Sequence, residues 1–525
     1  MMRLFLLVFV LIVVSTNHIC AQNDSFEQMK NNLNSNSLPL VNLTVDLSLM
    51  NNKDFLDGEI EICDYQRRTE PSSQNVKYHC KLRYRGASAL KYEKKSFAVK
   101  LFDKDGEDLD ANIFGIRNEN DWILDAMSID RIRMRNRVCF DLWNQMSKTP
   151  YETNYDGRNG TKGEFVEVFV NSIYHGLYCM TDKIDRKLLN LKKIRTNGDV
   201  VISIRGLLYK GTSWGSASDL LTYEISDVSK EKWNAWELKY PDDYPSAETW
   251  QPMMDLIDFC SDKTDEDTYK KDWEKHFYKD NLVEYMVFTL ALNVRDNGYK
   301  NMYISTPNIN KGQCFMITPW DMDASLGGNW NGNRLESTSH INRYNNIAPY
   351  NRVYVNDMTR FRHRLKEVWK LHKNTVFSQA NVEKLLDRYA ETFLKSGAWK
   401  REYNKWNEKP VPLEESPLEE LKYVKNWYQK NYIHLDKALD QLTETARFLG
   451  DVNYDDNVDI SDIVAVLNVI ASANTYVPVA DVNKDNNIDI SDIVAIINII
   501  AIGSEFVQSN QTAGDFKYDK SISLF

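Results

Sequence analysis

A pattern of 22 residues occurs twice near the carboxyl end of the chain, as GDVNYDDNVDISDIVAVLNVIA at 450–471 and as ADVNKDNNIDISDIVAIINIIA at 480–501. In each copy, oxygen-bearing side chains occupy positions 1, 3, 5, 9 and 12 of a twelve-residue loop, and the asparagine at position 7 offers its backbone carbonyl. This spacing is typical of a calcium loop, because calcium takes six to eight oxygens from one tight turn. The expected ligands are Asp451, Asn453, Asp455, Asn457, Asp459 and Asp462 in the first loop, and Asp481, Asn483, Asp485, Asn487, Asp489 and Asp492 in the second.

Each loop leads into one apolar helix, and no full helix precedes it. Position 12 is aspartate instead of the longer glutamate, and position 6 is Asp456 or Asn486 instead of glycine. Aspartate and asparagine tolerate the left-handed backbone that position 6 requires. This duplicated loop–helix unit resembles a type I dockerin, and the resemblance covers residues 450–503.

The dockerin resemblance implies two structural calcium ions, because the clustered carboxylates repel one another and the small core cannot form without the metal. It also implies a partner, the cohesin domain of a scaffold protein, in a cellulosome-like assembly for polysaccharide catabolism. The exposed faces of the two helices, including Val466, Leu467, Ile496 and Ile497, are the expected docking surface.

The amino-terminal end indicates export. One arginine precedes an apolar run from Leu4 to Val14, which is too short to span a bilayer and is typical of a secretory signal peptide. We expect residues 1–21 to be removed by cleavage after Ala21, giving a secreted protein; a lipid anchor on Cys20 is the alternative. No later run reaches the length of a membrane span, so no second anchor is expected.

Six cysteines remain after this cleavage, Cys63, Cys80, Cys139, Cys179, Cys260 and Cys314. In an exported protein they can form disulfides, but several lie in apolar, strand-like runs where a buried free thiol is the simpler interpretation. Their spacing is wide and never C-x-x-C, so we expect neither a zinc site nor a catalytic thiol.

The body of the chain, residues 38–445, mixes strand-like and helical patterns and predicts an α+β fold. VNLTVDLSL, VKYHCKLRYRG and KKSFAVKLF are typical of strands, and EFVEVFVNSIYHGLYCMTDKI predicts two strands joined at Asn171-Ser172. NRVCFDLWNQM and LVEYMVFTLALNV have apolar residues at helical spacing. A net charge of −10 without a strongly basic block disfavours a nucleic-acid partner. Residues 504–525 are polar and are expected to form a mobile tail.

Six short motifs along this body resemble the CotH kinase-like family, named for a spore-coat protein. In order they are RYRGAS at 83–88, KKSFAVKL at 94–101, NDWIL at 120–124, DRIRMRN at 130–136, VEVFVNSIYHGLY at 166–178 and PWDMD at 319–323. The resemblance implies an atypical, bilobal protein-kinase-like domain with helical insertions. It also implies transfer of phosphate from ATP, with Mg²⁺ or Mn²⁺, to serine or threonine of protein substrates.

The candidate catalytic residues follow from the needs of phosphoryl transfer, which are a metal on the phosphates and a carboxylate that orients the nucleophile. In VRDNGYKN, Asp296 and Asn301 have the spacing of the kinase catalytic loop, although H-R-D-L and D-F-G are absent. Asp296 is therefore the candidate catalytic carboxylate, and Asn301, Asp321 and Asp323 are the candidate metal ligands. If the turn at 321–323 stays extended, alternation sends its two carboxylates to opposite faces, and the family's W-D-x-D favours Asp321.

The candidate nucleotide-binding residues are Arg85, Gly86, Ser88, Lys95 and Lys100. Glycine at 86 allows close backbone approach to phosphates, and the arginine beside it adds charge. FAVK resembles the kinase V-A-I-K and nominates Lys100, whereas the family's K-K-S nominates Lys95, which we favour slightly. Asp182 stands where the family is expected to carry glutamate.

Two alternatives to a secreted kinase remain. The absence of a recognisable phosphate-binding glycine loop favours a catalytically degenerate binding module displayed through the dockerin. A carbohydrate-active enzyme is the other, because exposed tryptophans such as Trp320 and Trp330 and the many carboxylates suit a glycosidase.

Overall fold

The structure is a computed structural model, and it describes residues 25–151, 157–198, 200–215, 217–298, 300–443, 449–453, 457–471 and 479–502. The expected signal peptide (1–21), the tail (504–525) and the loop residues Asp455 and Asp456 lie outside the described residues.

Seven of the described strands form a closed barrel in the order β1-β2-β3-β4-β7-β9-β8. The barrel closes where β1 pairs in parallel with β8, and the other pairs are antiparallel. Five more strands form a second sheet in the order β13-β14-β12-β15-β16. The strands are β1 (Leu40–Thr44), β2 (Leu56–Cys63), β3 (Asn75–Arg85), β4 (Ser96–Phe102), β5 (Ala111–Asn112), β6 (Asn118–Glu119), β7 (Asp121–Asp125), β8 (Gly163–Val170), β9 (Ile173–Thr181), β10 (Arg195–Asn197), β11 (Val200–Ser203), β12 (Leu207–Gly211), β13 (Lys232–Trp233), β14 (Trp236–Tyr240), β15 (Met302–Thr306) and β16 (Met316–Pro319).

The hairpin of β8 and β9 confirms the strand pair predicted from the sequence. It turns at Asn171 and Ser172, whose φ angles of 50° and 64° give the left-handed two-residue turn that matches strand twist. Along these strands the side chains alternate between two cores. Val166 and Tyr178 belong to the barrel interior, while Phe165 belongs to a larger core outside the barrel.

The helices pack around the second sheet and the outer wall of the barrel, where they build the larger core. The helix predicted at LVEYMVFTLALNV is buried on nearly every side, which explains why its sequence is apolar throughout. The helices are α1 (Phe26–Asn31), α2 (Arg135–Met146), α3 (Ala247–Cys260), α4 (Glu266–His276), α5 (Lys279–Leu292), α6 (Tyr350–Val353), α7 (Phe361–His372), α8 (Gln379–Lys395), α9 (Ala398–Trp406), α10 (Pro417–Asp440), α11 (Ile460–Ala471) and α12 (Ile490–Ile502).

A buried charge cluster ties the barrel to α9. Glu402 of α9 accepts hydrogen bonds from Lys94 Nζ at 2.6 Å, from Arg133 Nε at 2.7 Å and from the backbone N–H of Leu177 at 2.8 Å. The side chains of Lys94, Arg133 and Glu402 are all inaccessible to solvent. Two cations thus share one carboxylate, and burial together with Arg133 lowers the pKa of Lys94 to about 7.

The repeated carboxyl-terminal segment forms a small core between α11 and α12. Val466 and Ile496 are fully buried in this core, so the prediction that they belong to a docking surface is wrong. Leu467 and Ile497 follow them in the sequence and are exposed at 48% and 49% of their surface. The difference arises because adjacent residues on a helix point about 100° apart, which the apolar sequence alone does not resolve.

All six cysteines outside the signal segment are free thiols in the structure. Five are buried, and Cys314 is partly exposed. Burial raises the pKa of Cys63, Cys80 and Cys139 to about 12, which makes these thiols poor nucleophiles. Among the described helices, none combines the length and apolar character that a bilayer crossing requires.

Candidate functional site

The loop after α5 carries Asp296 and is bound to the segment that follows β16. Helix α5 ends at Leu292, and the residue that caps it, Asn293, has the left-handed conformation (φ 49°) common after a helix end. The backbone N–H of Arg295 then donates to the carbonyl of Ala324 at 3.2 Å, and Leu326 N–H donates to Leu292 at 2.8 Å. These bonds set the Asp296 loop beside the Asp321 turn.

Asn297 locks the two segments together, although sequence reasoning gave it no role. Its side-chain amide donates to the carbonyls of Asn301 and Trp320 at 2.6 and 2.8 Å, and Trp320 N–H donates to Asn301 at 2.9 Å. Asn297 is fully buried. Asn301 itself is left-handed, with φ of 55°. The only sequence signal for Asn297 is its place between Asp296 and the glycine of VRDNGYKN.

The turn at residues 321–323 is not extended, so the premise for separating its two carboxylates is wrong. Asp321 has a φ of 55°, which reverses the chain direction. Asp323's pKa is raised well above its usual range by burial and by the neighbouring charges of Asp321, Asp125, Asp130 and Asp296. The charge of Asp321 thus acts on Asp323, next but one along the chain.

Asp321 combines an exposed side chain with a raised pKa. The largest cause is loss of hydration to the surrounding protein, followed by the charge of Asp125. The charges of Lys210 and Arg85 oppose this rise in pKa, and the charge of Asp296 adds to it. We call the surroundings of this exposed carboxylate the cleft. Within that cleft Asp296 and Asp321 are near enough to influence one another.

Asp125, at the end of β7, is a further carboxylate of this cleft that sequence reasoning missed. Asn136 of α2 donates to Asp125 Oδ2 at 3.0 Å and accepts from the backbone N–H of Met322 at 3.1 Å. Asn136 thus connects the barrel to the Asp321 turn. The motifs NDWIL and DRIRMRN contain or adjoin these two residues, and that was the available signal.

Among the candidate nucleotide-binding residues, Arg85 approaches the segment that carries Asp321. The guanidinium of Arg85 lies 5.5 Å from the centre of the Trp320 ring, and its charge acts on Asp321. Gly86 has a φ of 116°, which only glycine adopts readily. Ser88 begins a single 3₁₀ turn, Ser88–Lys91, directly after it.

The two candidate lysines are otherwise engaged. Lys95 Nζ donates to the carbonyls of Leu90 and Tyr92, both at 2.7 Å, and so braces the loop that follows Gly86. Lys100 lies on the outer face of β4, with Nζ 5.4 Å from the ring of Phe55. Neither ranks among the strongest charges acting on Asp321.

Two lysines not considered from the sequence are closer to the carboxylates. Lys300 forms an ion pair with Asp296 at 3.2 Å. Lys210 lies on β12 and is among the cations that act most strongly on Asp321. Lys210 falls in the segment LLYKG, which matches no motif of the kinase-like resemblance.

Asp182 serves the fold. It is fully buried, pairs with Arg158 at 2.6 Å and with Arg117 at 3.4 Å, and accepts a hydrogen bond from Lys162 N–H. Trp320 is also buried, at 8% exposure, so the expectation of an exposed sugar-binding tryptophan there is wrong; Trp330 is 57% exposed.

The donor set of the cleft suits a hard divalent cation. Asp321 and Asp323 offer carboxylates that accept no hydrogen bond from the described residues, and their mutual repulsion would be relieved by a cation. In the part of the chain described here, no three acidic, histidine or cysteine side chains form a ready metal cage. A bound divalent cation therefore stays a prediction.

The two repeated loops share one hydrogen-bonding scheme. The position-12 carboxylate of Asp462 accepts from the backbone N–H groups of Val452, Asn453 and Asp459 at 2.6, 3.0 and 2.9 Å. Asp492 accepts from the corresponding N–H groups of the second loop at 2.7, 3.1 and 2.9 Å. Position 6 of the second loop, Asn486, is left-handed as expected, with φ of 69°.

The comparison with known families identifies the body of the chain. The sequence profile described as CotH kinase protein matches residues 82–435. The chain therefore belongs to the CotH family, whose described activity class is that of a kinase. The matched range contains Arg85, Asp125, Lys210, Asp296 and Asp321, while β1 and β2 lie before it and complete the barrel.

A curated relative is the inner spore coat protein H of Bacillus subtilis (strain 168). It is 22% identical to this chain over 253 residues, which cover 48% of the chain and 60% of the relative. The chain thus spans about 60% of the length of the curated relative that it matches.

Proposed function

We propose that the protein is an exported atypical protein kinase that transfers phosphate from ATP to serine or threonine of a protein substrate. The observation that carries this proposal is the joining of the Asp296 loop to the Asp321 turn through Asn297. Family membership supports the same activity class.

The roles divide among the residues of the cleft. Asp296 orients the substrate hydroxyl and accepts its proton, and Lys300 holds the carboxylate in place. Asp321 would hold the divalent cation, with Asp323 and Asn301 as further ligands. The cation, when bound, neutralises charge on the phosphates. Arg85 and the backbone at Gly86 and Ser88 would contact the phosphates from the barrel side.

The test is a transfer assay with labelled ATP and Mg²⁺ or Mn²⁺. We compare the wild type with Asp296→Ala and Asp321→Ala, and use Asp243→Ala, an exposed carboxylate between β14 and α3, as the matched control. The proposal predicts label on protein from the wild type and the control, and a loss of about 10²-fold or more in each site variant.

Two other outcomes have defined meanings. Folded wild-type protein that incorporates no label, or equal label in all four proteins, would contradict the kinase and favour the catalytically degenerate binding module. Release of reducing sugar from plant polysaccharide would favour a carbohydrate-active enzyme, for which only Trp330 of the two named tryptophans is accessible.

A second function is proposed for residues 450–503. The matching hydrogen bonds of Asp462 and Asp492 favour two equivalent loops, each closed at position 12 and rich in oxygen ligands. We propose that they bind two structural calcium ions and that the segment docks to a cohesin domain of a scaffold. The exposed apolar side chains Leu467 and Ile497 would contribute to that docking face.

A further inference from the structure

Two cations approach one tryptophan ring from different sheets. Arg85, the last residue of β3, has its guanidinium carbon 5.5 Å from the centre of the Trp320 ring. Lys210, on β12 of the second sheet, has Nζ 5.7 Å from the same ring and 5.9 Å from that of Tyr303. Trp320 directly precedes Asp321 in the chain, so both cations lie near the residue proposed to hold the metal.

Lys210 is unusual in its strand. β12 is the middle strand of its sheet, between β14 and β15, and Leu207, Leu208 and Tyr209 before Lys210 are fully buried. Cross-strand neighbours of Lys210 are Glu237 and Tyr303. A lysine in such a position loses hydration, and a structural role would normally give it a close carboxylate.

Neither cation has that close carboxylate. Across the described residues, Arg85 and Lys210 form no ion pair within 4.0 Å and no hydrogen bond, whereas Arg117, Arg133 and Arg135 all have carboxylate partners. Burial, followed by the positive charge of Arg85, lowers the pKa of Lys210 to about 8, against the opposing charges of Glu237 and Asp321. The two cations are thus held near each other, and among the described residues neither has a carboxylate within ion-pair distance.

We propose that Arg85 and Lys210 form one anion site that binds the terminal phosphates of the nucleotide, with Lys210 contributed by the second sheet. This inference rests on the proposed phosphotransfer function and adds the residue that neither the V-A-I-K nor the K-K-S resemblance nominates. Lys95 is committed to two carbonyls and Lys100 lies over Phe55, so among these three lysines we assign the phosphate contact to Lys210.

Negative and positive side chains lie next to each other at this site, as the binding of a metal-bound polyphosphate requires. Asp321 offers a ligand to the cation, and the adjacent Arg85 and Lys210 offer donors to phosphate oxygens that the cation does not cover. An arginine gives a planar fork and a lysine a compact charge, which together suit neighbouring oxygens. The Trp320 ring beneath them keeps both side chains oriented.

The test measures binding of inorganic triphosphate by titration calorimetry to the full chain, with and without Mg²⁺. We compare Lys210→Met with the wild type, with Lys210→Arg, and with Lys104→Met as the matched control, an exposed lysine in the turn after β4. The site predicts a loss of affinity of about tenfold or more for Lys210→Met, because charge-assisted hydrogen bonds to phosphate are lost. Lys210→Arg keeps most of the affinity, Lys104→Met keeps all of it, and urea unfolding confirms that each variant is folded.

The outcomes separate this inference from the kinase proposal. Triphosphate binding that depends on Lys210, in a protein that transfers no phosphate, supports the anion site and contradicts the kinase. Normal phosphotransfer and triphosphate affinity in Lys210→Met overturn the anion site and leave the kinase standing. A wild type that binds no triphosphate at all also overturns the site.

Discussion

Replacing Glu402 by glutamine should destabilise the body of the protein severely. Glu402 is the single carboxylate between Lys94 and Arg133, and all three side chains are inaccessible to solvent. Glutamine keeps the size and a hydrogen-bond acceptor, but it leaves the buried Arg133 without its paired carboxylate and Lys94 without the charge that favours its protonated form. Breaking a buried ion pair by removing one partner costs about 3–5 kcal/mol of unfolding free energy.

The measurement is urea unfolding followed by tryptophan fluorescence, since urea leaves electrostatic interactions unscreened. If the unfolding free energy falls by about 3 kcal/mol for each molar unit of urea, the expected loss lowers the urea concentration at the unfolding midpoint by about 1–1.7 M. Glu391→Gln is the matched control, because its ion pair with Lys395 on α8 is mostly exposed, and it should leave the midpoint unchanged. A Glu402→Gln midpoint equal to that of the control would refute the reasoning.

Lys94→Met tests the charge balance of the same cluster. It leaves Glu402 paired with Arg133, so it should cost less than Glu402→Gln. The pKa of Lys94 is about 7 in the folded protein and 10.5 in the reference state, so between these values the unfolded chain holds a proton that the folded chain lacks. The stability of the wild type relative to Lys94→Met should therefore rise as pH increases above about 7. A difference that falls with pH would contradict the lowered pKa.

Three further predictions concern other parts of the structure. Gly176→Ala should lower the unfolding free energy by about 1–3 kcal/mol more than Gly106→Ala. Both glycines have positive φ, but only at Gly176 would a Cβ lie within 3 Å of the Glu402 and Trp406 side chains. Equal losses of unfolding free energy in urea would count against this crowding. In the native protein, a thiol reagent should label Cys314 at an appreciable rate and the five buried thiols only after unfolding. A protein mass that increases on reduction, by the hydrogens that a disulfide lacks, would contradict the free thiols. Removing calcium should raise hydrogen exchange in 450–503 and abolish cohesin binding while 38–443 stays protected; exchange that rises throughout the chain would place the segment inside the body instead.

Local signals in the sequence predicted the elements with self-contained patterns. The β8–β9 hairpin follows from Asn171-Ser172 between alternating apolar residues, and helix α5 from its continuous apolar run. The left-handed position 6 of the second repeated loop follows from Asn486. Each of these depends on residues within one turn or one hairpin of each other.

Long-range contacts could not be predicted in the same way. Closure of the barrel depends on β1 pairing with β8, more than a hundred residues later, and no local pattern records that pairing. The motifs that suggested catalysis partly serve the fold, since Lys94 and Arg133 meet at Glu402, which lies in none of them. Gly176 of the GLY motif is glycine because Glu402 leaves no room for a side chain.

The candidate site shows the same difference between local signals, which the sequence reveals, and long-range contacts, which it does not. The spacing within VRDNGYKN and PWDMD nominated Asp296 and Asp321, and the structure sets their segments side by side. Lys210 was missed because it sits in a different sheet from the nucleotide-side motifs and becomes relevant only when β12 packs beside Trp320. The backbone reversal at Asp321 was missed because alternation assumes an extended chain.

The central claim is that Asp296 and Asp321 converge on one divalent cation that holds the phosphates of ATP. The most direct measurement is a crystal structure with Mn²⁺ and a non-hydrolysable ATP analogue, with manganese located by its anomalous scattering. The claim predicts a manganese peak bonded to a carboxylate oxygen of Asp321 and to phosphate, with the last phosphate facing Asp296. Nucleotide and manganese bound at any other place on the protein, or Asp296 turned away from the last phosphate, would contradict it.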